Sequence, residues 1–162
     1  MRDNKKKSIL KSSKFIHLKI ESTINSLLAD KGITAAQSHI LMYILEHQGE
    51  NVYSTEIHKD MNISRATVSG LIKKLRANGY LTYESCDCDE RQKNLAPTAK
   101  ARALREDIEN CMAWIENCVF CDFSESELEI MDKLQKKMIE STAKITGGGT
   151  NNERYYRPDK TV

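Results

Sequence analysis

The sequence predicts a mainly α-helical chain with one small β-hairpin, in the order helix, helix, short helix, helix, hairpin, long helix, helix. Three observations predict it. Apolar residues recur at three- and four-residue spacing through most of the 162 residues, the period of helices with one buried face. Capping residues such as Thr34, Ser64 and Ser124 open these stretches, and Gly32, Gly49 and Gly79 close them. Only residues 80–84 and about 92–96 read as extended, and a polar tip separates them.

The first helix spans residues 8 to about 29, with Ile16, Ile20, Ile24, Leu27 and Leu28 on its apolar side. Thr34-Ala35-Ala36-Gln37 is a capping box, in which hydroxyl and amide cover each other's free backbone N–H groups. The helix it opens runs to His47 and buries Ile40, Leu41, Ile44 and Leu45. A short helix over 54 to about 60 carries Ile57 inward, and Met61-Asn62-Ile63 turns the chain. Ser64 caps a helix from 65 to about 78 whose stripe is Val68, Leu71, Ile72 and Leu75, with Gly79 as terminator. Pro97-Thr98 opens a long helix to about 121. Its positions Leu104, Ile108, Cys111, Ile115 and Cys118 form a heptad-like seam, expected to bury against a second copy of the chain. Ser124-Glu125-Ser126-Glu127 is a second capping box, with Phe123 and Leu128 as its hydrophobic staple, and the last helix ends near 144. Residues 145–162, with three consecutive glycines, are expected to be a disordered tail.

Composition narrows the function classes. The apolar fraction of 40% supports a core, and a formal charge of +2 excludes a polycation that coats nucleic acid indiscriminately. No apolar run suits a membrane span or a signal peptide, which predicts a cytoplasmic protein with no membrane partner. Five cysteines without a secretory signal read as reduced thiols. There is no phosphate loop, no His-Glu-x-x-His and no nucleophile elbow, so an enzyme is not expected, nor any cofactor or bound metal.

The element order makes residues 34–96 a helix-turn-helix followed by a hairpin wing, and 8–30 with 98–144 an additional helical region. Here the chain resembles the MarR family of transcription regulators, over about residues 8–144. The resemblance is carried by Ser54-Thr55-Glu56-Ile57, by Ile63-Ser64-Arg65-Ala66-Thr67-Val68-Ser69, and by Leu75-Arg76-Ala77-Asn78-Gly79-Tyr80-Leu81. Asp89-Glu90-Arg91 matches the family's Asp-x-Arg on the wing. Two departures stand out: Lys93 occupies the region of a second wing Arg, and Leu95-Ala96-Pro97-Thr98-Ala99-Lys100-Ala101 replaces the usual Leu-Thr-x-x-Gly. The resemblance implies a homodimeric regulator, a repressor by expectation, that reads pseudo-palindromic double-stranded DNA and is released by a small-molecule effector. It further implies that Arg91 enters the minor groove with Asp89 supporting it.

On the fourth helix Ser64, Arg65, Thr67, Ser69, Gly70, Lys73, Lys74 and Arg76 point away from the predicted core. The residues at its start suit base edges, and the hydroxyls and lysines suit phosphates, with Lys93 as a further contact on the wing. The same face, taken alone, is an ordinary solvated helix side; the helix-turn-helix and wing around it favour DNA. For the effector crevice that the resemblance implies, the candidate lining is Ile16, Ile20, Ile40, Tyr43 and Met112. Two alternatives remain at this level. One is a metal- or thiol-responsive regulator using Cys86, Cys88 and their neighbours as input; the other is a winged-helix module that binds protein rather than DNA.

Overall fold

The computed structural model describes residues 2–84 and 94–143. Helices α1 (Arg2–Leu27), α2 (Ala35–Glu46), α3 (Ser54–Asp60) and α4 (Arg65–Ala77) come first. Strands β1 (Leu81–Glu84) and β2 (Asn94–Pro97) follow, then α5 (Ala99–Phe120) and α6 (Glu125–Ala143). One 3-10 turn, Ala29–Lys31, joins α1 to α2 and ends on Gly32 in the left-handed region (φ 66°). The fold is therefore mainly α with a small antiparallel wing.

Local sequence explains most boundaries. The Thr34 box forms: Thr34 N–H donates to Gln37 Oε1 at 2.8 Å, and Gln37 N–H donates to Thr34 Oγ1 at 3.4 Å. Asn25 on α1 accepts the next free amide, Ala35 N–H, at 2.7 Å. Capping and tertiary docking of α2 are thus one event. Between α3 and α4 the turn places Asn62 at φ 49°, a left-handed position that Asn tolerates better than most side chains. Helix α4 ends in a Schellman motif: Gly79 N–H returns to Arg76 O and Tyr80 N–H to Leu75 O, both at 2.9 Å. Gly79 supplies the required φ of 75°, and Tyr80 and Leu75 are both buried.

The sheet pairs Leu81 with Pro97 and Glu84 with Asn94. The loop before α3 adds to it, because Leu95 N–H donates to Val52 O and Val52 N–H donates to Asn94 Oδ1. Sequence periodicity gave no sign of this third extended piece. One core runs through the chain, from Ile24 and Leu28 of α1 through Ile40, Leu41 and Ile44 of α2 and Val68, Ile72 and Leu75 of α4. Ala101, Leu104, Ile108, Cys111 and Ile115 of α5 complete it.

That last group corrects an expectation. The α5 seam is buried inside a single chain, against α1 and α2, and only Cys118 at its end is exposed. The reason is that α2 is apolar on most of its circumference and needs α5 as a cover. Other differences are smaller. Helix α1 starts at Arg2 rather than near residue 8, since its lysines and serines continue a helix without an apolar stripe to announce it. At α6 the Glu127 carboxylate accepts both Ser124 N–H and Ser124 Oγ–H. The expected reciprocal bond from the Glu127 amide goes to the Ser124 carbonyl instead. Phe123 lies edge-on to Phe120, with ring centroids 5.7 Å apart. The expected tail, 145–162, lies outside the described residues.

Candidate nucleic-acid interface

The outward face of α4 is built by elimination. Val68, Ile72 and Leu75 anchor the helix in the core and Leu71 is half-buried. This leaves Arg65, Thr67, Ser69, Gly70, Lys73, Lys74 and Arg76 exposed, together with the capping residue Ser64. The helix contains two arginines, two lysines and no carboxylate. Its surface is positive by composition, and its N-terminus adds unsatisfied amides that favour an anion. The eight positions expected to point outward do so.

Three of them already have intramolecular work. Ser64 Oγ accepts Thr67 N–H at 3.1 Å and lies 2.7 Å from Thr67 Oγ1, so both hydroxyls help to close the helix start. The Arg76 guanidinium lies 3.8 Å from the centre of the Tyr83 ring, holding the end of α4 to β1 of the wing. Arg65, Lys73 and Lys74 lie along the remaining exposed surface. His58 on α3 contacts the carbonyl of Ile63 through Nδ1, bracing the turn from which α4 starts.

Arg91, Lys93, Asp89, Cys86 and Cys88 lie outside the described residues. Among the described residues no three His, Cys, Asp or Glu side chains converge as a metal site would require. Cys111 is buried, and desolvation pushes its thiol above the ordinary range, as for a packing residue. Cys118 and Cys121 are exposed near the end of α5.

Of the five residues predicted for an effector crevice, four (Ile20, Ile40, Tyr43 and Met112) belong to or pack against one core. Ile40 is sealed in the core, Ile16 is exposed on α1, and Ile20 and Met112 pack against the core. Tyr43 alone borders an open cleft of about 870 Å³ between α2 and α3. Its other walls include His39, Met42, Glu46, His47, Glu50, Glu56, Asp60 and Met61. Four carboxylates with no Lys or Arg among the lining residues make this cleft hostile to anions. Tyr43 is fixed there by donating to Asp60 Oδ2 at 2.7 Å and by stacking on His47. The His39 imidazole is held below its ordinary range, first by desolvation, with Glu21 opposing and His17 reinforcing the shift.

Sequence reasoning also passed over Tyr80. Its hydroxyl donates to Lys31 O at 2.6 Å, and Lys100 Nζ sits 4.3 Å from its ring centre. The available signal was an apolar residue directly after a helix-ending Gly, the position that folds back in a Schellman motif.

A recognition helix with its preceding turn, a two-stranded wing and flanking helices define a winged helix-turn-helix protein. Residues 31–92 match the model of the MarR family. The HTH-type transcriptional repressor YetL of Bacillus subtilis is 24% identical over 91 residues, covering 56% of this chain and 54% of that protein. The chain thus spans about half the length of this curated relative. Among solved structures, S. aureus MepR in complex with DNA superposes with a TM-score of 0.77 at 25% identity. That match covers 81% of this chain and 96% of MepR. A MarR family regulator from Listeria monocytogenes, complexed with 26mer DNA, gives 0.75 at 24% identity, with 83% and 89% covered. No described helix is long and apolar enough to cross a membrane.

Proposed function

We propose that this chain is a sequence-specific DNA-binding transcription regulator, a repressor, that acts as a homodimer on pseudo-palindromic sites. The observation that carries this reading is the α4 face, with four basic side chains, exposed hydroxyls and no carboxylate on the helix. A solvated helix face with no partner has no need of a one-sign charge pattern, whereas a phosphate backbone does. The likeness to two regulators solved with DNA supports the same reading.

In this reading Arg65 and Thr67 address base edges in the major groove. Ser64, Ser69, Lys73 and Lys74 hold phosphates, and Arg76 keeps the wing against α4 while facing the backbone. Arg91, supported by Asp89, probes the flanking minor groove, with Lys93 beside it. Residues 34–96 act as the reading module, and 8–30 with 98–144 supply dimerisation. This is a division of roles, since both regions share one core.

The dimer rests on apolar side chains that one chain leaves uncovered. Ile9, Leu10, Phe15, Ile16 and Leu18 of α1 are exposed, as are Ile130, Leu134, Met138 and Ile139 of α6. A surface of that kind on a soluble regulator is an interface. The protein-interaction alternative has no comparable support, because it leaves the basic face of α4 without a partner.

Selection from a random DNA library, followed by gel shift at two salt concentrations, tests the reading. Enrichment of a two-fold repeated motif, bound more weakly at higher salt, is the expected result. Failure to enrich any motif, or binding that ignores salt, sinks it.

A further inference from the structure

Where α4 ends, three parts of the chain are tied at one point. Asn78 caps α4, and its Nδ2 donates to Gly32 O at 3.1 Å, reaching the linker between α1 and α2. Tyr80, turned inward by the Schellman motif, donates its hydroxyl to Lys31 O in the same linker. Lys31 in turn pairs with Asp107 of α5 at 2.9 Å, an interaction that raises its ammonium pKa, first through the hydrogen bond itself. From the other side Lys100 of α5 donates to Asn78 O at 2.8 Å and covers the Tyr80 ring. Thr98, which caps α5, donates through Oγ1 to Gly79 O at 2.8 Å, while its N–H donates to Tyr80 O at 3.0 Å.

Three of these contacts (with Lys31 O, the Lys100 ammonium and the Thr98 N–H) fall on Tyr80 itself, a residue with only 3% of its surface exposed, and the others surround it. They join the reading helix to the helices assigned to dimerisation, at the end of α4 opposite its capped start. Core contacts between helices are apolar and permit small sliding motions, whereas a buried hydroxyl with one carbonyl partner has a single good geometry. Aromatic packing and the Lys100 cation hold the ring; the hydroxyl sets where it stops.

We propose that Tyr80 is a positioning residue that fixes the pose of α4 relative to the helical body. In this role it sets the half-site separation that the dimer accepts. The proposal rests on the regulator reading above. Two recognition helices in a dimer reach successive major grooves only when they stand about 34–36 Å apart. A joint that lets α4 rock relaxes that requirement without altering which bases each helix reads.

The test uses the full-length protein and the motif selected from the random library. Binding of wild type, Tyr80→Phe and Lys100→Met is measured by fluorescence anisotropy on duplexes whose half-sites are moved apart or together by one base pair. Wild type should lose about tenfold in affinity on the shifted duplexes, a loss of the size of one mismatched pair. Both variants should lose only about threefold, while their response to base changes inside a half-site stays that of wild type. Thermal melts establish that each variant is folded, and Lys100, on the surface, is the safer of the two. If either folded variant keeps the wild-type spacing preference, Tyr80 and its joint do not set the separation. If wild type selects no motif at all, the regulator reading fails first and takes this one with it; a selected motif with unchanged spacing profiles overturns only the role of Tyr80.

Discussion

The reading module and the terminal helices use the same residue types to opposite ends. Ile40 and Leu41 of α2 are fully buried, whereas Leu10 and Phe15 of α1 retain 65% and 71% of their surface. None of residues 125–142 of α6 is buried. Yet both regions are regular helices with well-formed local bonds, so helix formation does not distinguish them. Completeness does. The module closes its core within one chain by recruiting α5 and the C-terminal part of α1, while the N-terminal part of α1 and all of α6 present apolar rows to solvent. The contrast gives the first region a closed core and leaves the second with uncovered apolar rows, which the proposed dimer would cover.

The most damaging way to probe this difference is to place a charge in the completed core. Ile108→Glu puts an unpaired carboxylate among buried side chains, a change that costs more than about 4 kcal/mol. Against a total stability of about 5–15 kcal/mol, loss of the native circular dichroism signal is expected. Retention of a native melting transition would mean that α5 is not part of a single-chain core.

The same charge on the uncovered rows should act differently. Phe15→Glu combined with Leu134→Glu leaves the core untouched, so helical content should persist while sedimentation shows a monomer. Operator affinity should fall by ~100-fold or more, because two linked half-site contacts become independent. A variant that remains dimeric would show that these rows are not the interface.

Within the module, the comparison sharpens to two ends of one helix. Arg65→Ala or Thr67→Ala should erode discrimination between cognate and random DNA by about 1–3 kcal/mol. Lys73→Ala or Lys74→Ala should weaken both equally and lower the salt slope by about one. Equal losses on both DNAs from all four would remove the assignment of roles. On the wing, Arg91→Ala should abolish preference for A·T-rich flanks while leaving the dimer intact, which anisotropy on flank variants checks directly.

The smallest effect concerns pH. His39 titrates below its ordinary value in the folded protein, so the unfolded chain binds more protons as pH falls below about 6.5. Its contribution to stability is complete above that pH and declines as the solution becomes more acidic. His39→Gln should flatten the slope of melting temperature against pH between about 5 and 7. An unchanged slope would assign the acid sensitivity elsewhere.

Much of this molecule is determined by short-range sequence. Thr34, Ser64 and Thr98 open helices because a hydroxyl can reach an amide three residues on, and Gly79 ends α4 because the turn requires a positive φ. The outward residues of α4 were legible for the same reason, since three core anchors at helical spacing fix the remaining directions. Tertiary structure decided the rest. A heptad-like step at Leu104, Ile108, Cys111 and Ile115 shows that one face is buried but not which chain buries it, and here α1 and α2 of the same chain do so. The Tyr80 joint and the Arg76–Tyr83 stack depend on residues that meet only after the chain has turned back on itself. Periodicity records which way a side chain faces along its own element; the partner across the gap is chosen by packing between elements, which no local pattern encodes.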